Sequence, residues 1–150
     1  TLIGVDVIVG FPGETEVEFL ETYNLLKELP ISYLHVFTYS ERPGTKAINL
    51  PNPVNLNERR RRNNMLRILS EKKRNEFYRN MIGKTLQVLF ESENDKGIIK
   101  GFSSNYVRVS HQFNHDFVNE FCDFKIKDID TNLCIGEVEG INKSIDLIAC

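Results

Sequence analysis

The stretch VDVIVGFPGETEVEF, Val5 to Phe19, constrains the fold of this chain more than any other. Val5, Val7, Ile8 and Val9 make a short β-branched apolar run, which reads as a strand covered on both faces. Gly10, Pro12 and Gly13 then break the strand. Thr15-Glu16-Val17-Glu18 is a capping box, in which the Thr hydroxyl takes an orphan amide and Glu18 reaches back to the cap. The helix is expected over about 16–29, with Phe19, Leu20, Tyr23, Leu26 and Leu29 on one face and Pro30 ending it. ISYLHVFTYS, Ile31 to Ser40, is rich in β-branched and aromatic residues and reads as a second strand. The right-handed crossover of such a βαβ unit makes the two strands parallel. In parallel sheets ligands sit at the carboxyl ends of strands, so the loops GFPGET and YSERPGT are the places to look for one. A strand of this kind needs neighbours, and a chain that opens on it is expected to be a piece of a larger α/β domain.

A Pro- and Asn-rich connector, NLPNPVNLN, separates this unit from a run of strong helix formers over about 57–80. Its stripe of Leu66, Leu69, Lys73 and Phe77 is interrupted by the lysine, so a long and mostly solvated helix is expected. It is also where the positive charge lies. Residues 58–79 hold nine of the 19 basic side chains against three acidic ones, although the whole chain has a formal net charge of -2. After Gly83 the period changes from 3.6 to 2. TLQVLFES, GIIKGFSS, NYVRVS, FVNEFCDFKIKDI and CIGEVEG, with the turn NDKG, predict a small antiparallel β-barrel or sandwich. The expected layout is an α/β part over residues 1–80, an all-β barrel over 81–140, and a tail over 141–150.

No run of about 18 apolar residues and no charged-then-apolar leader is present, so neither a membrane partner nor secretion is indicated and a cytoplasmic location is expected. Cys122, Cys134 and Cys150 are widely spaced, with no CxxC pair, and read as buried or tail thiols. His35 falls in an apolar strand and reads as a core histidine. His111 and His115 are four apart, but in the strand-rich half, with no third ligand placed; no metal site is expected.

DVIVGFPGET with its amphipathic helix, then SYLHVFTYSERPGTKA, a basic helix, IGKTLQVLFE and GIIKGFSSNYVRV resembles, in that order, the carboxyl-terminal half of the radical S-adenosylmethionine (SAM) methylthiotransferases. The resemblance covers about residues 1–140. It implies that the first part is the end of a parallel radical-SAM half-barrel and the second a TRAM domain, an OB-like RNA-binding barrel. It further implies a parent enzyme that inserts sulfur at an unactivated carbon and then methylates it, using SAM and two [4Fe-4S] clusters. The CxxxCxxC motif of the catalytic cluster is absent from this sequence, so no cofactor is expected on this stretch by itself, no catalytic residue is assigned to it, and its partner would be the amino-terminal half of the parent.

For the SAM side of that resemblance the candidates are Gly10, Phe11, Pro12, Gly13 and Glu14. The glycines allow close backbone approach, the amides at the helix start suit a carboxylate or ribose hydroxyls, and Glu14 suits an ammonium or hydroxyl. Tyr39 and Arg42, after the second strand, are candidates for the same pocket or for the substrate base. An RNA partner, the tRNA anticodon stem-loop, would use phosphate contacts from Arg59 and Arg62 of the basic helix and a barrel surface of Lys100, Asn105, Tyr106 and Arg108. Residues 84–139 carry six basic against ten acidic side chains, which confines RNA contact to one barrel face plus the helix. SYLHVFTYSERPGTKA, with His after Leu, looks most like the branch acting on threonylcarbamoyladenosine in tRNA. The alternatives are the isopentenyladenosine branch, the branch acting on a ribosomal-protein aspartate, and a protein-docking module without catalysis.

Overall fold

The structure is a computed structural model and describes residues 2–92 and 96–142. Cys150, the expected tail beyond Asn142, and Asn94 and Asp95 of the NDKG turn lie outside those residues. The chain divides into two compact units, one over Ile3–Arg74 and the other from Asn75 onward together with the first two residues.

The first unit is β1 (Gly4–Val9), α1 (Glu16–Glu28), β2 (Tyr33–Thr38), a 3-10 turn (Lys46–Asn49) and most of α2 (Leu56–Arg79). β1 and β2 pair in parallel from Gly4 opposite Tyr33 to Val9 opposite Thr38. The capping box forms as its sequence predicts: Glu18 N donates to Thr15 Oγ1 at 3.3 Å and Thr15 N donates to Glu18 Oε2 at 2.8 Å. Val9, Phe19, Leu26, Leu34, Leu66 and Leu69 form the core, with Val5, Val7 and Tyr23 packed against it. α2 seals the sheet chemically as well as by packing. The buried Ser70 hydroxyl accepts from Leu34 N at 2.8 Å and donates to Leu34 O at 3.0 Å, and Lys73 Nζ donates to Lys27 O in the last turn of α1 and to Leu29 O at its C-cap.

Three expectations change here. Among the described residues β1 and β2 are covered on one face only: Val5, Val7 and Val9 point inward while Ile8 and Phe37 are 60% and 52% exposed. His35 lies on that open face, exposed, its ring edge-on to Tyr33 at 4.8 Å; it is not a core histidine, because strand alternation puts Leu34 and Val36 inward instead. Nor is α2 simply a solvated helix. Arg59, Arg62, Leu66, Leu69 and Ser70 form a continuous buried stripe along it.

The second unit is a closed barrel of β3 (Thr85–Phe90), β4 (Ile98–Ser103), β5 (Arg108–Gln112), β6 (Phe121–Asp130) and β7 (Leu133–Asn142), in the order β3-β4-β5-β7-β6 with β6 returning to β3. Closure removes free edges. The barrel is not wholly antiparallel as expected: β5 and β7 pair in parallel through Val109 opposite Cys134, since β6 crosses over before β7 returns. Register shifts at Asp123/Phe124 and Ile126/Asp128 bend the long β6–β7 hairpin around the closure. Alternation sends Val88, Phe90, Ile99, Val109, Cys122, Phe124, Ile126 and Cys134 inside. Phe90 stacks on Phe117 at 5.8 Å and meets Phe124 edge-on at 5.9 Å.

Candidate functional site

The carboxyl ends of β1 and β2 carry the first group of candidates. Gly10 and Gly13 have φ of 77° and 91°, which only glycine adopts without strain. Their roles differ from the expected one. A Cβ at Gly10 would collide with the stem of Arg59, so the close approach that Gly10 allows is taken up by that side chain, while Gly13 faces open space. The loop amides are also committed internally. Gly10 N donates to Glu14 Oε2 at 2.7 Å, Gly13 N to Asn52 O at 2.9 Å, and Glu14 N to Phe11 O at 3.0 Å.

Glu14 is engaged too. Its Oε2 takes Arg62 at 2.6 Å besides the Gly10 amide, and its carbonyl takes the same guanidinium at 3.0 Å. The Gly10, Gly13 and Glu14 amides and Glu14 Oε2 are thus engaged within the protein. What this end of the sheet does present is aromatic. Phe11, 45% exposed, meets Tyr39 edge-on at 5.3 Å, and the Tyr39 hydroxyl is buried with no hydrogen-bond partner among the described residues. Pro12 is half-buried, and Arg42 is exposed with no ion pair among those residues.

Arg59 and Arg62 require a correction. Both side chains are nearly inaccessible, at 3% and 4%, and their guanidiniums turn inward to Glu41, Glu14 and Glu58. They are not phosphate ligands in this arrangement. The helical period explains why: extending the Leu66/Leu69 stripe back by four residues and then a further three lands on Arg62 and Arg59. Arg61 is half-exposed, paired with Glu16 and Glu58, and its hydrogen bonds hold the Glu58 carboxyl down at about 2. Arg60, Arg67 and Lys72 are exposed and make no ion pair among the described residues, leaving them as outward charge on α2.

On the barrel the register assembles what single residues did not reveal. Leu89 is opposite Phe102 on one side and Phe121 on the other, and Phe102 is opposite Arg108. An outward row Arg108–Phe102–Leu89–Phe121 therefore crosses four strands. The Arg108 guanidinium sits 4.7 Å from the centre of the Phe102 ring and 3.5 Å from Glu91. Tyr106, 71% exposed with φ of 60° in the turn between β4 and β5, joins Leu89, Phe102 and Phe121 in lining a groove of about 560 Å³. Lys100 lies on the same outward side of β4. Asn105 is turned back into its own turn, where Oδ1 accepts from Ser103 Oγ at 2.6 Å. Phe102, Leu89 and Phe121 were not singled out from the sequence, although the alternation in TLQVLFES and GIIKGFSS already puts Leu89 and Phe102 outward.

Cys122 and Cys134 are fully buried free thiols, and burial pushes both thiols up, Cys134 to about 12. His111 packs edge-on against Phe117 and Phe124 inside the barrel wall, and among the described residues no group of three or more His, Cys, Asp or Glu side chains is arranged to hold a metal. No described helix is long and apolar enough to cross a membrane.

No protein-family model matches the chain. Individual relatives do. The chain is 44% identical over 110 residues, 73% of its length, to the threonylcarbamoyladenosine tRNA methylthiotransferase MtaB of Aquifex aeolicus, and 37% identical over 125 residues, 81% of its length, to the MtaB of Bacillus subtilis. Its kin are methylthiotransferases. A tRNA-2-methylthio-N(6)-dimethylallyladenosine synthase of Mannheimia succiniciproducens is 36% identical over 138 residues, 91% of the chain. The chain belongs to this methylthiotransferase family and spans 26%, 28% and 29% of the lengths of those three relatives.

Proposed function

We propose that this chain is part of a tRNA-modifying enzyme that adds a methylthio group to N6-threonylcarbamoyladenosine beside the anticodon. The observation that carries the reading is the 44% identity to a relative named for that nucleoside, against 36% to one named for the dimethylallyl derivative. In this reading the βαβ unit is the end of a radical-SAM half-barrel and the barrel is a TRAM domain, in a cytoplasmic protein. SAM and the iron-sulfur clusters, held with the help of other parts of the parent, supply the sulfur insertion and the methyl group.

This chain's own share is narrower. Phe11 and Tyr39 offer an aromatic wall at the carboxyl ends of β1 and β2, against which a flat adenine ring of cofactor or substrate would pack. The row Arg108–Phe102–Leu89–Phe121, with Tyr106 and Lys100, offers ring faces and positive charge to the unpaired bases of an anticodon loop. Arg60, Arg67 and Lys72 offer charge to its phosphates.

The experiment is mass spectrometry of tRNA nucleosides from cells with and without the gene. Loss of the methylthio form of threonylcarbamoyladenosine supports the reading. Persistence of that form with loss from the isopentenyl derivative moves the enzyme to the other tRNA branch, and unchanged tRNA would sink both in favour of a ribosomal-protein substrate or protein docking.

A further inference from the structure

We infer that Arg59 and Arg62 are positioning residues that lock the loops after β1 and β2 into one arrangement, and that they do no work on RNA phosphates. The inference rests on the reading above that these loops wall a SAM and substrate pocket. Arg59 joins three separate segments. Its stem crosses Gly10, with Cδ 3.0 Å from where a Cβ would stand; its Nε donates to Val54 O in the connector at 2.8 Å; and its terminal nitrogens donate to Tyr39 O at 3.2 Å and Glu41 Oε1 at 2.6 Å. The guanidinium also lies 5.2 Å from the centre of the Tyr39 ring, the ring that meets Phe11. One side chain therefore fixes both strand ends and the aromatic pair between them.

Arg62, three residues further along α2, does the same for the first loop. It donates to the backbone and the side chain of Glu14, and Glu14 Oε2 in turn receives the Gly10 amide. Nε is held by Glu58 at 3.0 Å and the guanidinium lies 5.3 Å from the centre of the Phe19 ring. A lysine cannot replace either residue, because one ammonium on a flexible stem cannot bond in three directions from a planar fork. Turning either guanidinium out to a phosphate would strip Glu14 or Glu41 of its cation and open the loops. Sequence-independent attraction is left to Arg60, Arg67 and Lys72, which are exposed.

The test uses the full-length protein with Arg62→Lys, Arg62→Ala and Glu14→Gln, and with Arg60→Ala as the phosphate control. Three quantities are read: hydrogen exchange at amides 10–14, binding of a tRNA anticodon stem-loop across a salt series, and KM and kcat for SAM. Arg62→Lys is expected to speed exchange about tenfold by releasing the loop locally. It should raise KM for SAM about tenfold while kcat moves less than about twofold, and leave the salt slope of RNA binding at the wild-type value. Arg60→Ala should lower that slope by about 0.9 and leave the exchange alone.

A lowered RNA slope in either Arg62 variant, or wild-type exchange and KM in Arg62→Lys, overturns the inference. Should Arg62→Ala fail to fold, Arg62→Lys and Glu14→Gln, which keep hydrogen-bonding groups in place, carry the test. A wild-type parent that neither turns over SAM nor binds the stem-loop would defeat the proposed function, while exchange at amides 10–14 would still decide whether the clamp exists.

Discussion

In the βαβ unit two guanidiniums are buried beside six apolar side chains, whereas the twelve buried residues of the barrel core carry no formal charge. The difference follows from geometry. A closed barrel supplies every strand with two neighbours and an interior that side chains fill, so apolar packing suffices. Two parallel strands and two helices cannot enclose the loops at their carboxyl ends. Those loops carry carboxylates and carbonyls, and arginine, with five donors on a rigid fork, satisfies several of them at once. Burying such pairs adds little net stability but makes alternatives costly, since a pair that loses one partner strands the other. The barrel is packed for stability; the βαβ unit is wired for one loop arrangement.

That comparison is broken most directly from the apolar side. Phe124→Ala, emptying a site that is fully buried, is expected to cost about 4 kcal/mol in urea denaturation. A loss below about 1 kcal/mol would mean the barrel core is not the tight apolar unit described. Arg62→Met is the matching cut in the other unit. Leaving Glu14 without its cation is expected to cost about 3 kcal/mol, and Arg62→Met combined with Glu14→Leu should recover part of that, as an ion pair replaced whole by apolar groups does.

The functional contrast between the units is smaller in energy. Phe102→Ala should weaken binding of an anticodon stem-loop by about 1–2 kcal/mol through lost stacking, with the salt dependence unchanged because no charge is removed; a changed slope would reassign the row from bases to phosphates. Thr15→Ala removes one helix cap and is expected to cost about 1 kcal/mol in thermal denaturation. The acid response is the smallest of these effects. Hydrogen bonds from Arg61 keep the Glu58 carboxyl at about 2 in the folded protein, below its value of about 4.3 in the unfolded chain. Its stabilisation is therefore complete above pH ~4.3 and lost as pH falls toward 2. Glu58→Gln should flatten the fall of Tm over that window, and an identical acid profile for wild type and variant would remove Glu58 from the account.

Much of the fold was legible because it depended on local pattern. The capping box at Thr15 and Glu18, the stop at Pro30, the change of period after Gly83 and the alternation through Leu86, Val88 and Phe90 each specify a backbone state by sterics or hydrogen bonding within a few residues. The site was less legible. Gly10 was expected to let backbone approach a ligand, but a glycine does not say what approaches, and the side chain of Arg59, 49 positions away, occupies that space. Phe102 and Phe121 are ordinary strand residues until cross-strand register sets both beside Leu89.

By itself, the sequence determined a βαβ unit followed by a small barrel, and kinship determined the methylthiotransferase family. These follow from periodicities of 3.6 and 2 and from turn residues, all of which act over short distances. Helical period puts Arg59 and Arg62 on the Leu66 and Leu69 side of α2, but only the tertiary structure decided what partners those guanidiniums meet there. In the string Arg59-Arg60-Arg61-Arg62 the residues are chemically identical; what separates them is the direction each projects from α2 and what lies there, the carboxylates of Glu14 and Glu41 for the outer two and solvent or exposed carboxylates for the inner two. Charge written in a sequence has a sign but no destination until packing supplies its partner.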